Sequence, residues 1–354
     1  MSASPFTHPW LSKLLGDDQV AEQFSPEIEH MHIVAFERAL ALAEGAEGVI
    51  PSAAAAYIAE HIGGFTAEFE KIAEATARDG VVVPEFVLQL RAFIGAEYGQ
   101  YVHFGTTSQD VTDTTLVLRL CPVLREFKDR LDRLRSSLAD IDRRFGPNLL
   151  MGRTRMQDAL AIRVSDKVTA WDAPIARHID RLTELTPRFL LLQFGGAVGT
   201  RDRLGDKGQA VATRLAEALG LGVATSDWHT GRDSIVELAD WLSLVSGSLG
   251  KLGADIAFMT QTSVGEITLA DGGTSSAMPG KSNPVAAEIL VALARYNATL
   301  IGGMHQSLVH EQERSGAAWT LEWLVLPQMV MTTAASLRTT LRLCANVQHF
   351  GGDE

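Results

Sequence analysis

The chain has 354 residues, 46% of them hydrophobic, and a formal net charge of −12. That much apolar material builds a core and excludes disorder, while the acidic balance argues against a nucleic-acid partner, which needs a basic face. Cys121 and Cys344 stand far apart in no metal-ligand spacing, so neither a disulfide framework nor a metal site is expected, and a reducing cytoplasm fits.

In chain order, the opening MSASPFTHPWLSKLLGDDQVAEQF has no basic segment followed by an apolar run. No later uninterrupted apolar stretch approaches the roughly 20 residues that span a bilayer, so no membrane association is expected. Residues 26–44, 52–60 and 84–97 carry short helical patterns, broken by Gly63-Gly64 and Gly80, and predict a smaller helical domain over residues 1–104. GVVVP, at residues 80–84, is too short to build a sheet. From Val117 the apolar residues Leu120, Leu124, Phe127, Leu131, Leu134, Leu138, Ile141 and Phe145 alternate steps of three and four. They predict one helix over about residues 111–145, on the order of 50 Å long at 1.5 Å per residue. A weaker stripe runs through Val164, Val168, Trp171, Ile175, Leu182 and Leu185. A second strong seam joins Ile235, Leu238, Leu242, Val245, Leu249, Leu252, Ile256 and Met259, with Ser234 and Glu237 as a capping box at its start. Two further stripes cover residues 285–300, with Asn283 and Pro284 as N-cap and first helical residue, and residues 321–343. The five long helices predict an all-α long-helix bundle over residues 105–354, with almost no strand.

Three polar segments interrupt the periodicity: VHFGTTSQDVTDTT (102–115), MGRTRMQDA (151–159) and GGTSSAMPGKSNP (272–284). Each is expected to open a helix, where unpaired N–H groups and a partial positive charge favour a carboxylate; ordinary capping by Thr and Ser is the alternative. The third contains Gly280-Lys281-Ser282 and invites comparison with a phosphate-binding loop, G-x-x-x-x-G-K-[ST]. Ser275 occupies the place of the first glycine and no strand leads in, so a nucleotide site is not supported.

In wording and order the three segments resemble the signature regions of the fumarase/aspartase superfamily, the third through Ser275-Ser276, Met278-Pro279, Lys281 and Asn283-Pro284. LLQFGGAVGT (191–200), WHTGRD (228–233) and HEQERSGAAWTLEW (310–323) extend the resemblance over nearly the whole chain and bring it closest to the lactone-forming branch acting on 3-carboxymuconate. The resemblance implies a cofactor-independent cycloisomerase with a small anionic tricarboxylate substrate, a 3-sulfomuconate being the alternative. Ser275 then matches the residue that exchanges a proton beside a substrate carboxylate, and Lys281 and Asn283 match groups that hold that carboxylate. Thr107, Ser108, Gln109, Thr154, Gln157 and Ser276 match substrate contacts in the same regions. Arg155, Arg232, Arg314 and Lys281 form a candidate cationic shell for an enolate-like dianion. His229 is either a general acid or substrate donor, or a solvent-facing turn residue. His103 lines the same pocket or is a satisfied structural histidine; His30 and His32, two apart, cannot share one helix face.

Three features depart from the superfamily pattern. Arg155 stands where many of its lyases carry histidine, and an arginine binds a carboxylate but does not shuttle a proton. Thr274 replaces a glycine before the serine pair. The chain also ends well short of a typical member, so the small C-terminal helical domain is expected to be absent. Two other readings are a fumarate-releasing lyase of the adenylosuccinate or argininosuccinate type and a non-catalytic helical structural protein. The resemblance further implies a cytoplasmic homotetramer whose sites each draw the three segments from different subunits.

Overall fold

The computed structural model describes residues 4–278 and 280–352. Two short helices, α1 (Ser12–Leu15) and α2 (Asp18–Glu22), precede four that build the N-terminal unit: α3 (Pro26–Ala46), α4 (Ser52–His61), α5 (Phe69–Asp79) and α6 (Val83–Ile94). The expected long helices follow as α7 (Ser108–Phe145), α8 (Val164–Phe189), α10 (Asp233–Met259), α11 (Val285–Gln306) and α12 (Gly316–Ala345), with the shorter α9 (Gly208–Leu219) between α8 and α10. The fold is all-α, as the seams require. At 1.5 Å per residue the 38 residues of α7 reach about 57 Å, the full length of the bundle.

The stripes read from the sequence are the core. Leu120, Phe127, Leu131, Leu134 and Leu138 of α7 are fully buried, as are Leu238, Leu242, Val245 and Leu249 of α10. Each such side chain contributes on the order of 1.5–3 kcal/mol by leaving water. Where α10 meets α11 the backbones lie close: a Cβ at Gly250 would stand 2.4 Å from that of Ala294, and one at Gly253 2.7 Å from the Ala287 carbonyl oxygen. Asn297 of α11 fixes the register of three helices, donating to Ser246 Oγ and Thr333 Oγ1, each at 3.1 Å. Among the described residues, α11 alone is long and apolar enough to cross a membrane, yet here it packs alongside α10 and α12.

Several local expectations need correction. The second polar segment opens no helix: residues 149–163 form an antiparallel hairpin, β1 (Leu149–Thr154) and β2 (Gln157–Arg163). Two other small pairs exist, β3 (Leu191–Leu192) with β4 (Gly222–Val223), parallel, and β5 (Ile267–Leu269) with β6 (Val347–Phe350), antiparallel. The capping box at α10 does not form, because Ser234 lies inside the helix and Glu237 pairs with Arg188. Pro284, not Asn283, is the cap residue of α11; Asn283 instead bridges to Gly273. A second apolar core gathers Phe36, Leu40, Ile58, Phe86 and Leu90, and it also takes in Leu192, Phe194, Leu204, Val211 and Leu215. Phe6 and Val20 join the bundle core, so both cores cross the expected boundary at residue 104.

Candidate active site at two ends of the bundle

The first polar segment opens α7 and is tied down by buried charge. Asp110 is fully buried and collects donors: the N–H groups of Gly195 (2.8 Å), Gly196 (2.9 Å) and Thr107 (3.1 Å), and His229 Nε2 (2.8 Å). Burial alone would raise the pKa of this carboxyl, but His229 and the two glycine N–H groups outweigh it and hold it below the usual carboxylate range. One turn on, Asp113 accepts from Arg232 Nη1 (2.6 Å) and Nη2 (3.1 Å) and from Trp319 Nε1 (3.0 Å). Glu322 of α12 takes the other edge of the same guanidinium, from Nε at 2.9 Å and Nη2 at 2.5 Å. Burial opposes the charge on Arg232, but the two carboxylates outweigh it and hold its pKa above the ordinary arginine value.

These contacts revise three expectations. Arg232 is 1% exposed and shared by two carboxylates, so it has no charge left for a substrate. His229 is not a solvent-facing turn residue: it is wholly buried, with Nε2 on Asp110 and Nδ1 3.5 Å from the Asp227 carboxylate, without a hydrogen-bond partner among the described residues. Gln109 is buried too, donating to the His229 carbonyl (2.8 Å) and Asp113 (3.1 Å) and accepting from Arg314 Nε (3.0 Å). Thr107 and Ser108 stay half-exposed at the helix mouth, and Arg314 is exposed with no carboxylate partner among the described residues. His103 is held by Glu37 through Nδ1 at 2.6 Å.

The opposite end is open. The tip of the hairpin is Arg155-Met156, with φ of 50° and 67°, closed by the Thr154–Gln157 pair; all four residues are exposed. Beside it, a cavity of about 1110 Å³ is lined by Arg155, Met156, Lys167, Phe258, Lys281 and Asn283 among others. The side chains of Arg155, Lys167 and Lys281 have no hydrogen-bond or ion-pair partner among the described residues. Arg153 nearby is already committed to Glu266 at 2.8 Å and Asp158 at 2.9 Å.

The third segment is a loop whose neck is closed by paired hydrogen bonds between Gly273 and Asn283, at 2.8 and 2.9 Å. A side chain at Gly272 would collide with Ser282, its Cβ 1.8 Å from that oxygen. Within the loop, Ser275 Oγ accepts from the N–H groups of Ala277 (3.3 Å) and Met278 (3.1 Å). Thr274 has no left-handed backbone, so the position does not demand glycine. Ser276 is exposed, and Pro279 of the signature lies outside the described residues.

One chain therefore brings Arg155, Lys281 and Asn283 to one cavity, with the Ser275 loop adjoining, and leaves Thr107, Ser108 and Arg314 at the far end of α7. Sequence reasoning missed Lys167, which sits on an ordinary helical stripe. It also missed Asp110, Asp113 and Glu322, although acids at the buried mouth of an apolar helix are a signal of their own, since such groups need partners.

A family model described as a lyase matches residues 16–296. The chain is 39% identical over 319 residues to the 3-carboxy-cis,cis-muconate cycloisomerase of Pseudomonas aeruginosa, covering 88% of this chain and 70% of that protein. The crystal structure of 3-carboxy-cis,cis-muconate lactonizing enzyme from Pseudomonas putida superposes with a TM-score of 0.90 at 35% identity, covering 97% of this chain and 77% of the other. That of a fumarate lyase from Mesorhizobium sp. BNC1 gives 0.89 at 35% identity, covering 95% and 76%.

Proposed function

The chain belongs to the lyase family of the fumarase/aspartase superfamily, and from that premise we propose that it is a cycloisomerase closing 3-carboxy-cis,cis-muconate to a carboxymuconolactone, without a cofactor. One observation carries the choice within the family: Arg155, Lys167 and Lys281 line one cavity with no ion-pair partner among the described residues, while Asp255 and Glu266 of the same wall are held by Lys251 and Arg153, and Glu288 is the one further carboxylate in the described lining. An anionic substrate supplies counter-charge to the free cations.

The reaction is intramolecular. One carboxylate oxygen adds to a carbon of the conjugated diene, and a proton is delivered to the adjacent carbon, next to a second carboxylate. The nucleophile is tethered, so holding the diacid chain in its reactive conformation removes much of the barrier. Charge builds up as an enolate-like dianion, which Lys281 and Arg155 stabilise while Asn283 orients the carboxylate. Ser275 gives the proton; the N–H groups of Ala277 and Met278 aimed at its Oγ stabilise the alkoxide left behind. An arginine at position 155 fits binding an extra carboxylate and disfavours fumarate-releasing chemistry that needs a proton shuttle there.

The complete site is assembled from several copies of the chain, in a cytoplasmic homotetramer serving the breakdown of aromatic acids such as protocatechuate. Thr107 and Ser108 lie about 57 Å along α7 from the hairpin, which supports their reaching Lys281 from another subunit. Only 22% of the apolar window of α11 is buried within one chain, which leaves a face for that assembly.

Mixing the protein with 3-carboxy- and 3-sulfo-cis,cis-muconate and following the diene's ultraviolet absorbance tests the reading. Loss of absorbance is expected with the carboxy compound. No loss with either, or release of fumarate from a succinyl compound instead, overturns it. Activity that survives in a dilute, monomeric sample overturns the shared site.

A further inference from the structure

Beside the closed end, where α7 and α12 meet the N-terminal unit, lies a separate cavity of about 260 Å³ with an apolar wall that includes Phe24, Val82, Leu116 and Leu326. Two α7 residues that line it, Thr112 and Arg119, carry polar groups with few partners. Arg119 is only 8% exposed, yet among the described residues its one ion partner, Glu29, is 3.6 Å away, its one hydrogen bond is a long 3.4 Å contact from Nε to the Thr115 carbonyl, and its guanidinium otherwise lies 6.0 Å over the Phe24 ring. The Thr112 hydroxyl is buried with no hydrogen bond among the described residues. Burial pulls the Arg119 pKa down and Glu29 only partly restores it, consistent with a guanidinium short of counter-charge.

The geometry sets the shape of what fits. Thr112, Leu116 and Arg119 lie at i, i+4 and i+7, on one face of α7, so the cation and the hydroxyl stand about 10 Å apart along the helix with Leu116 between them. Glu322 also lines the cavity, but Arg232 occupies both its oxygens. Arg119 is the only Lys or Arg among the described lining residues, so a dianion such as a phosphate ester would lack a second cation there. The volume lies below the roughly 300–1,000 Å³ of sites for drug-sized ligands, which limits the occupant to about one ring. Glu29 also borders the neighbouring cavity of about 380 Å³, toward which its partly exposed carboxylate has room to turn.

We propose that this cavity binds a small ring-bearing monocarboxylate, its carboxylate on Arg119, its ring against Leu116, Leu326 and Phe24, and a polar ring substituent facing Thr112. The site is distinct from the hairpin cavity and does not depend on the reaction assigned to that cavity.

Isothermal titration of the full chain with benzoate, and with benzamide as its uncharged counterpart, tests this. Benzoate should bind at one site per chain and benzamide at least tenfold more weakly. Arg119→Met and the cavity-filling Leu116→Phe should each weaken benzoate at least tenfold, while Lys281→Met leaves it unchanged. Leu116→Phe keeps every charge, so it reports on the cavity even if Arg119→Met disturbs the fold. Absence of benzoate binding, equal binding of benzamide, undiminished binding in either cavity variant, or loss of binding in Lys281→Met would overturn the proposal.

Discussion

At the start of α7, Arg232 meets two carboxylates and Asp110 meets His229 and two glycine N–H groups, whereas at the hairpin end Arg155, Lys167 and Lys281 form no ion pair among the described residues, although Asp255, Glu266 and Glu288 line the same cavity. Both ends carry residues that the superfamily resemblance marks as functional, yet their electrostatics differ in kind. Buried and mutually compensated charges hold backbone in place; exposed and uncompensated cations wait for an anion. A charged residue in a signature segment is thus not by itself a ligand contact, and its partners decide which role it has.

The contrast breaks most visibly at Arg232. Arg232→Met would leave Asp113 and Glu322 buried and adjacent without the guanidinium they share, which should cost about 3–5 kcal/mol of stability, read from the urea midpoint at unchanged slope. Were Arg232 a substrate cation, stability would hardly move and KM would rise instead. Lys281→Met is the counterpart at the open end. Stability should change by less than about 0.5 kcal/mol, while turnover of 3-carboxy-cis,cis-muconate falls by about 10²–10³-fold, as when one group that stabilises developing charge is removed. A large stability loss there, with activity preserved, would erase the distinction between the two ends.

The sequence made one of these layers far more legible than the other. Seams with steps of three and four are set by burial of a single stripe, and they located α7, α8, α10, α11 and α12 even across Pro122, Pro174, Pro187 and Pro327, which lie inside those helices. Tertiary packing holds such helices through a proline that local rules alone would treat as a break. Local signals did less well. Ser234 and Glu237 have the spacing of a capping box, but Arg188 takes the glutamate and α10 begins two residues earlier than the box requires. The hairpin was hidden because LLMGRT and QDALAIR lack the regular alternation of a half-buried strand, and β2 is almost wholly exposed. The fate of each site charge was least legible of all. Whether Arg232 binds substrate or Glu322 depends on residues 90 positions apart being brought together.

Glu44 is the exception that sharpens the comparison, an uncompensated acid at the closed end. It is fully buried, neither carboxylate oxygen has a hydrogen bond, and it lies just beneath Gly105, 3.6 Å from where a Cβ would stand. Burial, reinforced by Glu37, pushes its pKa up to about 9. Between about pH 4.5 and pH 9 the folded chain therefore holds a proton that the unfolded chain has released, and stability falls as pH rises through that window. Glu44→Gln keeps the shape and removes the linkage. It should stabilise the protein by about 4–5 kcal/mol at pH 8 and by only about 1 kcal/mol at pH 5, as denaturant titrations at the two pH values would reveal. An equal effect at both would mean that Glu44 is not neutral in the folded chain.

The smallest expected effect lies at the hairpin tip, where the open end carries strain in place of charge compensation. A two-residue turn with both φ angles positive favours Asn-Gly, yet Arg155 at 50° and Met156 at 67° fill it. A residue other than glycine in the left-handed region costs about 1–2 kcal/mol, so Met156→Gly should stabilise the chain by about 1 kcal/mol in urea unfolding. The same change frees the turn that presents Arg155 to the cavity, and kcat/KM should fall severalfold because the guanidinium is no longer held toward the substrate. Such an outcome would make the strained turn part of the proposed binding site, together with the cations beside it. If stability and activity rise together, Arg155 is positioned by something other than this turn, and the open end is less specialised than its charges suggest.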